Sequence, residues 1–351
     1  MPDRHPDRDR LLPARRHPAL RAARARLEGR VTPPRPRGAG RFGLPTGPRR
    51  FEEPPLAAHD HPLRRAVPLV LGAGLCFVSL DTVAKFLVRD HSLLAVVWAR
   101  YAGQMIAVTP VAWHRAGPGF WRTKQPRMQL LRSAMLLAAT LSFFGALRFL
   151  PLAEAASISS LTPVAVVLLS PLVLGERPGH ARLAAAFAGF AGVLILMRPG
   201  SSVFHPAALL LLVTAVTNAL YAMLTRKLHG DSPYTTLFYS ALVGTVALAP
   251  ALPWAVVPDV WTWTRAGLFV MLGLFAGVGH MLLTRAYLRA PASLLAPFTY
   301  VQIVWATAFG FAFFGQLPDR WSFAGMAVIV ASGLALACQE RRRARAVVRI
   351  P

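Results

Sequence analysis

Three ionisable side chains lie inside apolar runs, where a charge is costly and is generally kept for a reason. Asp81 and Lys85 sit in VPLVLGAGLCFVSLDTVAKFLV, and Arg100 sits in LLAVVWARYAGQMIAV. The i, i+4 spacing of Asp81 and Lys85 puts both on one helical face, where pairing would lower the burial cost of each. Asp81 lies seven residues from the run's end at Val88 (88 − 81), and Arg100 lies seven from the start of the next at Leu93 (100 − 93). At ~1.5 Å per residue both are about 10 Å deep. An Asp81 shared by Lys85 and Arg100 is therefore allowed, and it would leave a net positive site suited to an anionic or zwitterionic solute. The competing arrangement has Lys85 snorkelling to the interface and the trio clamping two helices together.

Further polar residues fall at helical spacing. Thr214, Thr217, Asn218, Tyr221 and Thr225 follow i, i+3, i+4, i+7 and i+11, one stripe along a single run. Such a stripe lines a cavity or hydrogen-bonds between packed helices. Tyr300 and Gln302, beside Trp305, add hydrogen-bonding surface to a later run. Substrate contact is accordingly expected at Asp81, Lys85, Arg100, Asn218, Tyr221, Tyr300 and Gln302. Asp81 and His280 are the candidates for a coupling proton, although a lone membrane histidine also serves as an interhelical hydrogen-bond donor. Arg132 and Arg285, near the ends of their runs, read as interfacial anchors.

The elements that must hold these residues are unusually apolar. The chain has 351 residues, 54% of them hydrophobic, and a mean hydropathy of +0.44, too high for a soluble domain. Ten runs of helix-spanning length follow from Val67, at about 67–88, 93–113, 128–149, 151–174, 180–197, 206–228, 233–253, 265–288, 291–314 and 321–338. The net charge of +24 sits mostly outside them. Residues 1–65 carry sixteen Arg, no Lys and seven acidic residues with many Pro, a composition that cannot bury a core and predicts a disordered tail. With no apolar stretch near Met1, a secretory signal is not expected. Nucleic-acid binding is not expected either, because the tail lacks aromatic interleaving.

A repeat organises the runs. Ala146/Ala286, Pro151/Pro291, Gly175/Gly315 and Pro178/Pro318 share one offset of 140 (291 − 151) without a gap. The domains are then a tail over 1–65, a first repeat over 66–197, a second over 198–338 and a basic tail over 339–351. Lys and Arg are rich in HRAGPGFWRTKQPR, GERPGHAR and TRKLHGDS and sparse in the alternate connections, which predicts both termini in the cytoplasm. Trp254, Trp261 and Trp263 would then mark the outer interface. Five spans per repeat invert the second repeat relative to the first. The expected fold is an all-α integral membrane protein of ten transmembrane helices in two inverted five-helix repeats, an architecture of secondary transporters with a midplane site.

Several local features refine this picture. Pro163, Pro171 and Pro297 fall inside spans and should break or kink them. Ala184, Ala188 and Gly192, with Gly325, Ser332 and Gly333, predict close backbone packing, within one bundle or between two copies of a homodimer. Cys76 and Cys338 lie in apolar runs and read as buried packing residues, without disulfide or metal spacing.

PLAEAASISSLTPVAVVLLSPLVLGERP and AGFAGVLIL, returning as APASLLAPFTYVQIVWATAFGFAFFGQLPDRWSFAGMAVIVASGLAL, resemble the two EamA-type repeats of the drug/metabolite transporter superfamily, over about Val67 to Glu340. The resemblance implies a ten-helix carrier of small metabolites in the bacterial inner membrane, working by exchange or with a proton. LDTVAKFL, VVWARYAG and LAPFTYVQIVWA are similar to a branch containing uptake carriers for S-adenosylmethionine and riboflavin, with Asp81, Lys85 and Arg100 at its charged positions. Metabolite or drug export is the alternative within the fold. One departure is Gln316, which stands where the first repeat has Glu176. An enzyme is not expected, since no GxSxG, HExxH, CxxC or Walker pattern occurs, and no cofactor or metal is implied. A non-transporting receptor or scaffold is the alternative from another class. The expected partners are a small-molecule substrate and membrane lipid.

Overall fold

Hydrocarbon supplies no water to an exposed N–H or C=O, so the apolar runs must satisfy their backbones internally, as helices. The computed structural model describes residues 60–175, 178–201, 204–228, 230–255, 262–290 and 292–348. In order these form α1 (Asp60–Asp90), α2 (Leu93–Ala116), α3 (Pro126–Leu147), α4 (Leu152–Ser159), α5 (Thr162–Val173), α6 (His180–Met197) and α7 (Ala208–Lys227). There follow α8 (Pro233–Leu248), α9 (Leu252–Ala255), α10 (Trp263–Tyr287), α11 (Ala292–Thr299), α12 (Val301–Phe314) and α13 (Arg320–Val348). No strand occurs among the described residues.

Nine spans among the described residues are long and apolar enough to cross a membrane, with α4–α5, α8–α9 and α11–α12 each counting as one. Helix α2 has the length, at 24 residues, but Arg100, Tyr101 and Gln104 dilute its apolar character. It packs against α8 and α10 and still turns Ile106 outward, 73% exposed.

Helix starts follow the local chemistry. Pro126 and Pro233 open α3 and α8, where no backbone N–H is needed, and the Ser232 side chain accepts from the Tyr234 N–H. Gly175 and Gly315, at φ of 70° and 64°, reverse the chain after α5 and α12 in a left-handed conformation that glycine adopts without strain. Helix α1 begins at Asp60, so the last residues of the expected disordered tail extend the first helix. Residues 1–59 of that tail, together with Glu176, Trp261 and Pro291, lie outside the described residues. At the other end α13 runs on to Val348, taking in most of the expected basic tail.

The packing follows the repeat. The strongest contacts are α6–α13, α1–α10 with α3–α7, α2–α8, α2–α10 with α3–α8, and α5–α7 with α1–α12. Exchanging α1 for α7, α2 for α8, α3 for α10, α5 for α12 and α6 for α13 maps this set onto itself. The first helix of each repeat thus packs mainly on the other repeat.

Two expectations of packing are corrected. The seam between α6 and α13 uses Gly189, Gly192, Gly325 and Ser332: a Cβ on Gly192 would lie 3.0 Å from the Gly325 carbonyl oxygen. Ala184 and Ala188 instead face outward, because the buried face follows Ala185, Gly189, Gly192 and Leu196. Of the two cysteines, Cys76 is half-buried and Cys338 exposed, both free. Cys338 lies on the outward face of α13.

The α2–α10 crossing is the tightest test of this packing, since a Cβ on Gly103 would sit 2.5 Å from the Gly273 Cα. Gly103→Ala should lower the melting midpoint of the detergent-purified chain, at a cost on the order of 1–3 kcal/mol. Gly267→Ala, with nothing within 4 Å of its Cβ, should leave the midpoint unchanged or slightly raised. Equal midpoints for the two variants would contradict the crossing.

Candidate functional site

Two of the three interrupted spans break at the same point of the repeat. The first turns at Ser160, between α4 and α5, and the second at Tyr300, between α11 and α12, an offset of 140 (300 − 160). Pro163 has no N–H to give the Ser159 carbonyl, and the Thr162 hydroxyl donates to it instead at 2.8 Å. Pro297 lies inside α11, one turn before the second break. Pro171, by contrast, is carried within α5 without ending it.

A chamber of about 300 Å³ lies at these breaks. Its wall contains Asp81 of α1, Asn218 of α7, Ser159, Ser160 and Thr162 around the first break, and Thr299, Tyr300 and Gln302 around the second. Val78/Asn218, Ser159/Thr299, Ser160/Tyr300 and Thr162/Gln302 are all repeat partners (302 − 162). The chamber therefore straddles the relation between the repeats. The hydroxyls of Ser159, Ser160, Thr162 and Thr299 donate to carbonyls three or four residues earlier in the chain, leaving oxygen lone pairs for a guest. With the Asp81 carboxylate, this makes the wall rich in acceptors. Two glycines seat its larger side chains: a Cβ on Gly74 would come 3.0 Å from Cγ of Gln302, and one on Gly333 would overlap the Tyr300 ring.

The chamber thus gathers Asp81, Asn218, Tyr300 and Gln302 but not Lys85, Arg100, Tyr221 or His280. The expected Asp81–Lys85 pair does not form. Lys85, 2% exposed, donates from Nζ to the Leu147 carbonyl at 2.9 Å and to the Leu150 carbonyl. These carbonyls lie at the end of α3, where orphan acceptors and the negative end of the helix dipole attract a cation. Arg100 does not pair with Asp81 either; its Nη2 lies 3.3 Å from Nε2 of His280, because α2 packs on α10 rather than on α1. Among the described residues Asp81 has no ion pair within 4.0 Å.

Tyr221 belongs to another network. Arg132, 2% exposed and so not the expected interfacial anchor, donates from Nε to Thr225 Oγ1 at 2.6 Å and from Nη2 to Tyr221 Oη at 2.6 Å. Its Nη1 donates to the Thr236 carbonyl at 3.2 Å and to Ser240 Oγ at 2.8 Å. All four acceptors come from α7 and α8, which removes Arg132 from the interface. Arg285 is half-buried. The stripe on α7 points inward, with Thr214 bonded to Ser142 on α3 at 3.0 Å, Asn218 on the chamber, and Tyr221 and Thr225 on Arg132.

Polar ties close the two ends of the bundle. At one end Asp90 pairs with Arg265 at 2.8 Å, Arg198 with Asp319 at 2.8 Å, and Ser322 donates to Glu154 at 3.0 Å. At the other, Asp231 accepts from Thr123, from Gln129 at 3.0 Å and from the Lys124 N–H at 3.3 Å. Sequence reasoning passed over Ser159, Thr162 and Thr299, although the repeat register applied to Ser160 and Tyr300 would have found them. Among the described residues no three His, Cys, Asp or Glu side chains cluster as a metal site would require.

A helical membrane bundle built on a repeat, with a polar chamber between paired helix breaks, has the form of a transport protein. The chain belongs to the EamA-like transporter family, whose model matches twice, over residues 64–198 and 205–337. Similar proteins include a riboflavin transporter of Rhizobium johnstonii, 29% identical over 276 residues, 78% of this chain and 91% of the relative. An S-adenosylmethionine uptake transporter of Rickettsia bellii is 24% identical over 78% of this chain and 95% of its own length. A pseudopaline exporter of Pseudomonas aeruginosa is 29% identical over 78% and 96%. A solved crystal structure shares the fold with a TM-score of 0.58 at 20% identity, covering 79% of this chain and 98% of its own.

Two measurements test the site. Gly333→Ala should destabilise the chain by an amount on the order of 1–3 kcal/mol by displacing the Tyr300 ring. In a Tyr300→Ala background that cost should vanish, and additive costs in the double-mutant cycle would deny the contact. For Asp231, slight burial pushes the carboxyl up, but the hydrogen bonds from Thr123, Gln129 and Lys124 outweigh it and hold the group below the ordinary aspartate value. With the folded-state value lower, ionised Asp231 stabilises the fold above the unfolded value near ~3.9, and the contribution is lost as pH falls through the folded one. Asp231→Asn should therefore lower the melting midpoint at pH 7, and the gap to the wild type should narrow below about pH 4. A gap that stays constant down to pH 3 would mean the carboxylate plays no part.

Proposed function

We propose that this protein is a secondary transporter that carries a small organic metabolite across the bacterial inner membrane by alternating access through the central chamber. The observation that carries the reading is the chamber itself, walled by repeat partners at two helix breaks. Inverted repeats open such a midplane site first to one side and then to the other. At about 300 Å³ it falls at the small end of metabolite-sized pockets. In this reading α2 is the tenth span, the repeats are inverted, and both termini face the cytoplasm.

An acceptor-rich wall with one carboxylate favours a solute rich in hydrogen-bond donors or carrying a positive centre. S-adenosylmethionine-like and riboflavin-like compounds, the cargoes named for two of the relatives, are the solutes to try first, with uptake as the direction. Export, as in the third relative, uses the same chamber run the other way. Within the chamber Asp81, Asn218, Tyr300 and Gln302 contact the solute, and Asp81 is the group placed to exchange a coupling proton. Arg132 holds the repeats together outside it.

The test is flux. The full chain in proteoliposomes should show saturable uptake of radiolabelled S-adenosylmethionine or riboflavin, with and without a pH gradient. Asp81→Asn should reduce it at least about tenfold, the scale of one lost charge-assisted hydrogen bond, while leaving the melting midpoint near that of the wild type. Full flux in Asp81→Asn would remove the chamber from the pathway, and an absence of flux from folded wild-type protein across a wider metabolite panel would favour a non-transporting scaffold. Alkaline phosphatase fused after Val348 should be inactive in cells, and activity there would reverse the proposed topology.

A further inference from the structure

Arg100 and Gln104 lie one helical turn apart on α2, exposed by 5% and 0%. Arg100 uses Nη2 on His280, but its Nη1 has no partner, and neither amide atom of Gln104 has one. Buried polar atoms are rarely left so, and those that are point to ordered water or a ligand. The charge balance separates the two. A guanidinium cannot shed its proton here, and among the described residues no carboxylate lies within 4.0 Å of Arg100 or of Arg132. Arg132 is satisfied by neutral oxygens of Tyr221, Thr225, Thr236 and Ser240. Two cations are thus buried among α2, α3, α7, α8 and α10. Water would fill the vacant hydrogen bonds without offsetting the charge, whereas an anion offsets the charge and accepts from Arg100 Nη1 and Gln104 Nε2, leaving only Gln104 Oε1 open.

The place is next to the chamber. Phe77, one turn before Asp81 on α1, sets its ring against His280 with centroids 5.0 Å apart, and His280 in turn holds Arg100. Tyr101 lies under the guanidinium, its centroid 4.3 Å from Cζ, and donates to or accepts from Thr140 at 2.9 Å. The Tyr101 ring is itself seated where a Cβ on Gly244 would overlap it. The cation is held from below, with Nη1 and the Gln104 amide left open.

We infer that Arg100 and Gln104 form a sub-site for a carboxylate, whose two oxygens accept from Arg100 Nη1 and Gln104 Nε2. His280 is a positioning residue that holds the other arm of the guanidinium. Resting on the transport reading, this makes the solute a zwitterion: its donor-rich or cationic end faces Asp81 and the hydroxyl-lined chamber, and its carboxylate faces α2.

Acetate is the probe, titrated against the full chain in detergent at pH 7 and constant ionic strength, with chloride as the replaced anion. The melting midpoint of the wild type should rise saturably with acetate, and Arg100→Gln should weaken the apparent affinity about tenfold or more. Gln104→Ala should weaken it less, and Asp81→Asn should retain or strengthen it by removing a competing negative charge. Equal midpoints in acetate and chloride, or an undiminished shift in Arg100→Gln, would overturn the sub-site and leave only water there. A larger effect of phosphate than of acetate would overturn the carboxylate assignment. Should Arg100→Gln fail to fold, Arg100→Lys and Gln104→Ala decide: affinity unchanged in both overturns the proposal. Flux lost in Asp81→Asn without any acetate effect would refute this sub-site alone, whereas an acetate effect with full flux in Asp81→Asn would refute the chamber pathway alone.

Discussion

A polar group inside hydrocarbon must find its partner within the protein, and this constraint accounts for most of the interior. Lys85 goes to the carbonyls at the end of α3 because they are the acceptors α3 cannot satisfy itself. Thr162 takes the Ser159 carbonyl that Pro163 cannot. Arg132 collects four oxygens from two helices. Each choice fixes a neighbour's position, so the helices are located by where unsatisfied groups occur as much as by apolar packing, which in lipid gives little net drive. The acceptors left facing the chamber and the donors left open on Arg100 and Gln104 are the exceptions, and exceptions are where function is sought.

The repeat explains why the chamber lies where it does. When two homologous halves pack about a shared relation, residues near that relation meet their own counterparts, as Ser160 meets the region of Tyr300 and Thr162 that of Gln302. Divergence then gives the two walls different chemistry. Asp81 corresponds to Tyr221, Lys85 to Thr225 and Arg100 to Ser240 (240 − 100), so the first repeat carries the charges and the second supplies neutral partners. Arg100 reaches His280, and Arg132 reaches Tyr221 and Ser240, each across the boundary between repeats.

The outline was legible in the sequence because it rests on local signals. Span length, the Pro and Gly marks at one offset, and the break near Ser160 and Tyr300 all depend on residues close in the chain. The site was legible in half. Asp81, Asn218, Tyr300 and Gln302 share a chamber, but the meeting of Asp81 with Lys85 and Arg100 that spacing and equal depth allowed does not occur. Depth fixes one coordinate; which helix lies beside which fixes the others, and α10 takes the place next to α2 that the pairing required of α1. Arg132 was misread for the same reason, since its nearness to a helix end carries no sign of the α7 and α8 oxygens that surround it. The α6 seam shows the limit on a finer scale: Ala184 and Ala188 fit a small-residue pattern, yet Ala185 and Gly189 form the buried face.

The polar links between the repeats are of two kinds, and the difference bears on motion. Arg132 is buried among its partners, and separating them would strand a charge in the bundle, a cost of several kcal/mol on the order given for buried ionic groups. The ties at the ends differ from it: Asp90–Arg265, exposed, joins the last turn of α1 to the first turn of α10, and Asp231–Gln129, half-buried, joins the turn after α7 to the first turn of α3. Under the exchange of repeats these two ties join corresponding elements. An exposed pair is worth about 0–1 kcal/mol, so Asp90–Arg265 can be given up at little cost while the buried network persists. The end closed by Asp90–Arg265 can therefore loosen while the Arg132 network still holds the two repeats together.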